Sequence, residues 1–199
     1  MITKFADILI QMQIEEIISS IYKIPADSML LLKQYTREIS FPKGHTLFRA
    51  GKLESKVCFL KKGIVRAYAM HDHSEITFWF GTEGDAILSM KSYVVNEKGY
   101  EDIELLEPCE LYEIDTAQLQ QLFLQDIHLA NWGRKFAERE LIKTEERLIS
   151  RQFGTAIDRY KQLLTDNPGL IQRVQLGHIA SYLGITQVSL SRIRAELAR

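Results

Sequence analysis

The spacing of apolar positions divides the chain into three stretches. Over residues 5–36 they recur at helical intervals, in FADILIQMQIEEIISSIY and then IPADSMLLLKQYT, with Pro25 and Asp27 as start signals for the second helix. From Ile39 to Asp115 the runs shorten, become rich in β-branched and aromatic residues, and are broken by glycines at 44, 51, 63, 81, 84 and 99. Strands are predicted over 46–49, 56–60, 64–70, 75–80, 103–106 and 110–114, with turns at Lys62-Gly63 and over 71–74. Many short strands of this kind suggest a barrel or jelly roll. Helical spacing returns at Thr116: a short helix over 116–124, a long one from Ile127 to about Ile149, and another over 155–165 closed by Asp166-Asn167-Pro168-Gly169. Residues 150–154 read as a hinge.

The pattern is sharpest in the last quarter, VQLGHIASYLGITQVSLSRIR over residues 174–194. Two short helices are expected around a tight turn. Ile179, Leu183, Ile185, Leu190 and Ile193 supply the apolar contacts, and Ala180 stands where two helices press together. Gly184 can take a positive φ without steric cost, and Thr186 is a good N-cap for the second helix. This is the spacing of a helix-turn-helix, whose second helix enters the major groove of double-stranded DNA. With Leu190 and Ile193 inward, Thr186, Gln187, Val188, Ser189, Ser191, Arg192 and Arg194 are the expected DNA-binding residues. Gln187 and Arg192 suit base edges, Arg192 toward guanine and Gln187 toward adenine, and Val188 suits a thymine methyl. The others suit phosphate or mixed contacts.

Composition changes this picture in one respect. The 199 residues carry a net charge of -1, which by itself argues against a nucleic-acid binder. The charge is unevenly placed, however: residues 1–133 sum to -6 and residues 134–199 to +5. A basic C-terminal third beside an acidic remainder fits a protein that meets phosphate with that third alone. No apolar run is long enough to cross a membrane, and no secretory leader is expected at the N-terminus. The two cysteines, Cys58 and Cys109, lie far apart in strand-like settings, as buried thiols of a reducing cytoplasm would.

Taken in order, FPKGHTLFRAG, VCFLKKGIVRAYAM, the Glu83-Gly84-Asp85 turn, the long helix and the ending LGITQVSLSRIRAEL resemble the Crp/Fnr family of bacterial transcription regulators. The resemblance covers nearly the whole chain. It implies an α+β fold: an N-terminal double-stranded β-helix (jelly roll) of the cyclic-nucleotide-binding type with flanking helices, over residues 1–125; a central dimerisation helix over 126–150; and a C-terminal helix-turn-helix domain over 151–199. It implies a homodimer on DNA, with RNA polymerase as a further partner and a small molecule as effector. Leu129, Trp132 and Phe136 are the residues expected along the dimer helix.

Two departures qualify the resemblance. Where cyclic-AMP-binding members carry a glutamate for the ribose, Ser89 stands here, and Gly99-Tyr100 fall where an Arg-Ser pair holds the cyclic phosphate. A buried phosphate needs a charge partner or several donors, and this stretch offers only Lys91 and Lys98 nearby. Cyclic AMP is therefore not expected to bind in the usual way. The region that remains, Gly84, Asp85, Ile87, Leu88, Ser89 and Tyr100, suits a more apolar effector or none. The family often adds a β-hairpin wing after the second helix; with the sequence ending at Arg199, residues 186–194 are expected to carry most of the specificity. No iron–sulfur cluster or other cofactor is expected, because no cysteine precedes Cys58.

The rival reading is a cupin-like metal-dependent enzyme or small-molecule binder, built on His71, His73 and Glu75. Its spacing is poor, since Glu75 follows His73 too closely, and the set falls in a predicted turn. No nucleophile–base set stands at interpretable spacing, so no catalytic residue is assigned.

Overall fold

The computed structural model describes residues 11–197. The first helix expected over 5–22 thus falls partly outside the described residues; its described part is α1 (Ile14–Ile21). Helix α2 (Ala26–Gln34) follows, with Pro25 at its N-cap. The strands are β1 (Arg37–Phe41), β2 (Thr46–Phe48), β3 (Lys56–Lys62), β4 (Val65–His71), β5 (Ser74–Gly81), β6 (Ala86–Ile87), β7 (Asp102–Leu105) and β8 (Cys109–Asp115), with helix α3 (Met90–Val95) before β7. They form two four-stranded sheets, ordered β1-β8-β3-β6 and β2-β7-β4-β5, with every pairing antiparallel. The chain closes with α4 (Thr116–Gln125), α5 (Ile127–Phe153), α6 (Ala156–Asp166), α7 (Leu170–Arg173), α8 (Leu176–Leu183) and α9 (Gln187–Leu197).

Strand β3 shows why its sequence lacks alternation. Cys58 and Leu60 point between the sheets, where they meet Phe48, Val65, Ala67, Ile103, Leu105 and Leu111. Val57 and Phe59 point the other way, under a layer of helices that includes Ile17, Ile18, Leu32, Leu122 and Trp132. With both faces covered, every position from Val57 to Lys61 is buried. The β4–β5 hairpin turns on Asp72 and His73, with φ of +45° and +65°; two positive φ values at the centre of a two-residue loop are those of a type I′ turn, whose twist suits the strands.

Helix α5 starts where Asp126 caps it, Oδ1 accepting from the His128 and Leu129 N–H groups, while Ser28 donates to Oδ2 at 2.7 Å. Gly133 lets α4 approach: a Cβ there would stand 2.7 Å from the Phe123 ring. The seam expected on Leu129, Trp132 and Phe136 is corrected. Leu129 and Trp132 are 0% and 2% exposed. Trp132 meets the Phe59 ring edge-on and donates from Nε1 to the Ile18 carbonyl at 3.0 Å, and Phe136 stacks on Trp132. These side chains anchor the helix to its own sheet. The large apolar residues that α5 leaves exposed are Ile127, Leu141, Ile142, Leu148, Ile149 and Phe153. At 100° per residue, Leu141 lies about 180° around the helix from Trp132. On the same helix Arg134 pairs with Glu138, four residues on, and Lys143 pairs with Glu140 and reaches Asp85 at 3.7 Å.

A third core joins the C-terminal helices to the sheets. Tyr160, Leu163, Leu170, Val174, Ile179, Ala180, Leu183, Leu190 and Ile193 pack with Ile64, and Phe80 and Leu106 flank them.

Candidate nucleic-acid interface and effector region

Helices α8 and α9 meet at Gly184, which takes the left-handed conformation at φ +68° and ends α8 with N–H bonds back to Ala180 and Ser181. The Ile185 N–H reaches the Ala180 carbonyl at 3.0 Å. Ala180 is 2% exposed between the helices, where a longer side chain would force them apart. Thr186 precedes α9 and its Oγ1 accepts from the Ser189 N–H at 3.1 Å, satisfying one of the free donors of the first turn. Arg159 adds a tie that the sequence gave no sign of: its guanidinium donates to the Leu183 and Gly154 carbonyls and fixes the turn against the start of α6.

This construction turns one face of α9 outward. Leu190 and Ile193 are buried, while Thr186, Gln187, Val188, Ser191, Arg192 and Arg194 are exposed and Ser189 is half-buried. Val188 is 62% exposed on this face. Arg192 and Arg194 both lie exposed on the surface of α9.

The six residues expected around an effector do not line one cavity. Ile87 is buried between the sheets, whereas its neighbour Leu88 packs toward the helical layer. Gly84 faces Met12, whose Sδ would be 2.8 Å from an added Cβ. Asp85 is turned inward, its Oδ2 accepting from the Thr82 N–H at 2.8 Å; burial pushes its carboxyl above its ordinary value. Tyr100 lies out on the surface against Phe78. Ser89 is buried, and its Oγ has no hydrogen-bond partner among the described residues. A Cβ on Gly99 would stand 2.6 Å from that Oγ and 3.1 Å from Glu101 Oε1. Glu101 is itself 6% exposed and accepts the Tyr100 N–H at 3.0 Å. A buried carboxylate thus stands against the two positions that would have to receive a ribose and a phosphate.

The residues of the metal reading part company. His71 and His73 are exposed on the hairpin, and Glu75 is taken by Arg66 at 2.5 Å. Among the described residues no group of three or more His, Cys, Asp or Glu is placed to hold a metal ion, and no helix is long and apolar enough to cross a membrane. Cys58 and Cys109 are free, buried thiols; burial pushes both pKa values up, that of Cys109 to about 12.

The sequence reading missed a polar cluster where the C-terminal helices meet the sheets. Arg66 on β4 is 2% exposed and pairs through one nitrogen with Glu75 and Glu104, each at 2.5 Å. Its other terminal nitrogen reaches His178 Nδ1 on α8 at 2.7 Å. Ser181 on α8 accepts from the Thr77 N–H and donates to the Glu75 carbonyl, both at 2.9 Å. Arg173 on α7 pairs with Glu83 at 2.6 Å and with Glu107. Burial works to raise the Glu83 carboxyl, but Arg173 and the Gly63 N–H outweigh it and hold it below its ordinary value. A lone arginine in the apolar strand IVRAYAM was the one available signal.

Two sheets flanked by helices define a cyclic-nucleotide-binding type of domain, which a long helix and a small unit of C-terminal helices follow. Residues 38–126 match the family model of the cyclic nucleotide-binding domain. The chain's structural neighbours are Crp/Fnr family transcription regulators. The regulator CLP of Xanthomonas campestris is 19% identical, over 87% of this chain and 92% of its own, with a TM-score of 0.67. FixK2 of Bradyrhizobium japonicum is 18% identical, over 82% and 84%, with a TM-score of 0.72. A Crp/Fnr family regulator of Eubacterium rectale is 15% identical, over 85% and 82%, with a TM-score of 0.68. At these identities the likeness is one of fold. No curated protein matches the sequence.

Proposed function

We propose that this protein is a homodimeric, sequence-specific DNA-binding transcription regulator of the Crp/Fnr type that does not respond to cyclic AMP. The observation that carries the reading is the α8–Gly184–α9 unit: a buried Ala180, a left-handed Gly184 and a capped α9 whose outer face holds Gln187, Val188, Ser191 and Arg192 in the open. These are the parts of a helix-turn-helix. The paired four-stranded sheets read as the jelly roll over residues 1–125, α5 as the dimer helix over 126–150, and residues 151–199 as the DNA-binding domain. The homodimer joins along the exposed side of α5, through Leu141, Ile142, Leu148 and Ile149. Two-fold symmetry then presents two α9 helices to a pseudo-palindromic site, with half-sites about 34 Å apart.

Glu101 supports the lack of a cyclic AMP response, since a buried phosphate beside a buried carboxylate loses electrostatically and Arg is absent there. An effector at Gly84–Tyr100, where there is one, has to be more apolar and has to open the region. RNA polymerase is the partner such a regulator meets at promoters. Genome-wide footprinting of the purified protein, with and without candidate effectors, tests the reading. It predicts protected half-sites one helical turn apart; uniform or absent protection would sink it. Isothermal titration with cyclic AMP should give no binding, and micromolar affinity would overturn that part.

A further inference from the structure

We infer that the packing of α7 and α8 on the sheets is an autoinhibitory latch, which must open before α8 can reach DNA. The inference rests on the DNA-binding reading above and concerns how that binding is controlled.

Helix α8 is short, and both of its sides are in use. Ile179, Ala180 and Leu183 face the C-terminal core. On the other side, about 180° around the helix, His178, Ser181 and Tyr182 meet β4 and β5. His178 takes the hydrogen bond from Arg66, Ser181 bridges the backbone of Glu75 and Thr77, and the Tyr182 ring lies 5.3 Å from that of Phe80. In a helix-turn-helix the first helix crosses the phosphate backbone while the second reads the groove. Here the outer side of that first helix is occupied by β5. The carboxylates of Glu75 and Glu104 also stand beside it, and they would repel an arriving phosphate chain. The recognition face of α9 is exposed, so the block falls on docking against the backbone and leaves the base-reading surface formed.

The contacts have the character of a releasable joint. Beside the apolar contacts of Ile64, Phe80 and Leu106 with the C-terminal core, the side of the joint under α8 is polar: it borders a cleft of about 300 Å³ lined by Lys43, Arg66, Glu75, Glu104, Gln175 and His178, and Arg66 Nε there has no hydrogen-bond partner among the described residues. The second tie, Arg173 to Glu83 and Glu107, ends on the turn that also carries Asp85, which faces Lys143 of α5. A shift of that turn therefore pulls on the latch and on the long helix together.

The test uses the full chain with labels at His71→Cys and Gln162→Cys, both exposed positions away from the latch and from α9; the native thiols are buried. Labelled chains are mixed with excess unlabelled chain so that distances within one protomer are read. Two variants on the sheet side break the joint: Arg66→Met, and Phe80→Ala in case the carboxylates left by the first unfold the domain. Both the label distance and the affinity for a mixed-sequence duplex of about 30 base pairs at about 50 mM salt are measured. The expected result is a longer, broader distance together with about tenfold or more tighter binding, the range of a typical coupling between sites. An opened joint with unchanged or weaker DNA binding overturns the latch while leaving the DNA-binding reading intact. An unchanged distance in both variants overturns it too, because these contacts then do not hold the helices. No DNA binding by the wild type or by any opened variant overturns the DNA-binding reading and the latch with it.

Discussion

Leu148→Ala should weaken self-association by a calculable amount. In the single chain Leu148 is 57% exposed on the side of α5 away from the sheets, one heptad after Leu141 at 69%. Fully burying a leucine is worth about 1.5–3 kcal/mol, so covering what Leu148 leaves open is worth roughly 1–1.5 kcal/mol. A two-fold seam contains the position twice, which gives roughly 2–3 kcal/mol per dimer. At about 1.4 kcal/mol per factor of ten, the dimer dissociation constant should rise about 30- to 150-fold. Alanine is the best helix former, so α5 itself should persist. Sedimentation equilibrium of wild type and variant measures the change, and circular dichroism checks the helix. A variant that dimerises as tightly as the wild type would refute the assignment of this face, and a wild type that is monomeric at high concentration would refute the homodimer.

Three further outcomes are expected. Leu129→Ala, at a position 0% exposed, should lower the unfolding free energy by about 2–5 kcal/mol in denaturant melts; a loss under about 1 kcal/mol would mean that this side of α5 is not core. Arg192→Ala should cost about 1–3 kcal/mol at the operator and relax one base preference, whereas an equal loss on all sequences would mark a phosphate contact. Acid should loosen the joint at α8: burial first, and then the nearby Arg66, hold the His178 imidazole below its ordinary value of 6.5, with Glu104 and Glu75 opposing and Lys43 assisting. The docked form thus favours neutral His178, so its stability is complete above 6.5 and falls as the pH drops through the lowered value. The label distance described above, followed from about pH 8 to pH 5, reads this; a distance that does not change with pH, or lengthens as pH rises, would contradict it.

The sequence shows the C-terminal unit most clearly because each of its constraints is local. Ala180, Gly184 and Thr186 have jobs set by backbone geometry within a few residues, and each does that job here. The strands from 56 to 80 were legible for the same reason. Strand β1 was not: Arg37-Glu38-Ile39-Ser40-Phe41 carries few apolar residues, and it is held by its partner β8 from 72 residues further on. Helix α3 was hidden in a loop-like stretch, and α5 misled in one respect. Its most apolar segment, Leu129 to Phe136, looked like a seam because periodicity tells which residues share a face and not what the face meets. The sheet claims it, through Phe59 and the Ile18 carbonyl. Arg66, Glu104, Arg173 and His178 share no local pattern at all; only the fold brings them together.

That contrast bears on how a signal would travel. The Glu83-Gly84-Asp85 turn resembles a nucleotide-binding region, yet Met12 stands against Gly84, and Ser89 and Glu101 both crowd Gly99. The turn itself remains well connected. Glu83 is fixed by the Gly63 N–H and by Arg173 of α7, Asp85 faces Lys143 of α5, and the Gly84 N–H bonds the Leu60 carbonyl at the end of β3. Three neighbouring residues thus touch the sheet, the long helix and the C-terminal helices. A ligand can move an equilibrium only by its differential contacts with the two states. An effector that displaced Met12 from Gly84 would change contacts at this turn, and the change would reach both α5 and α7.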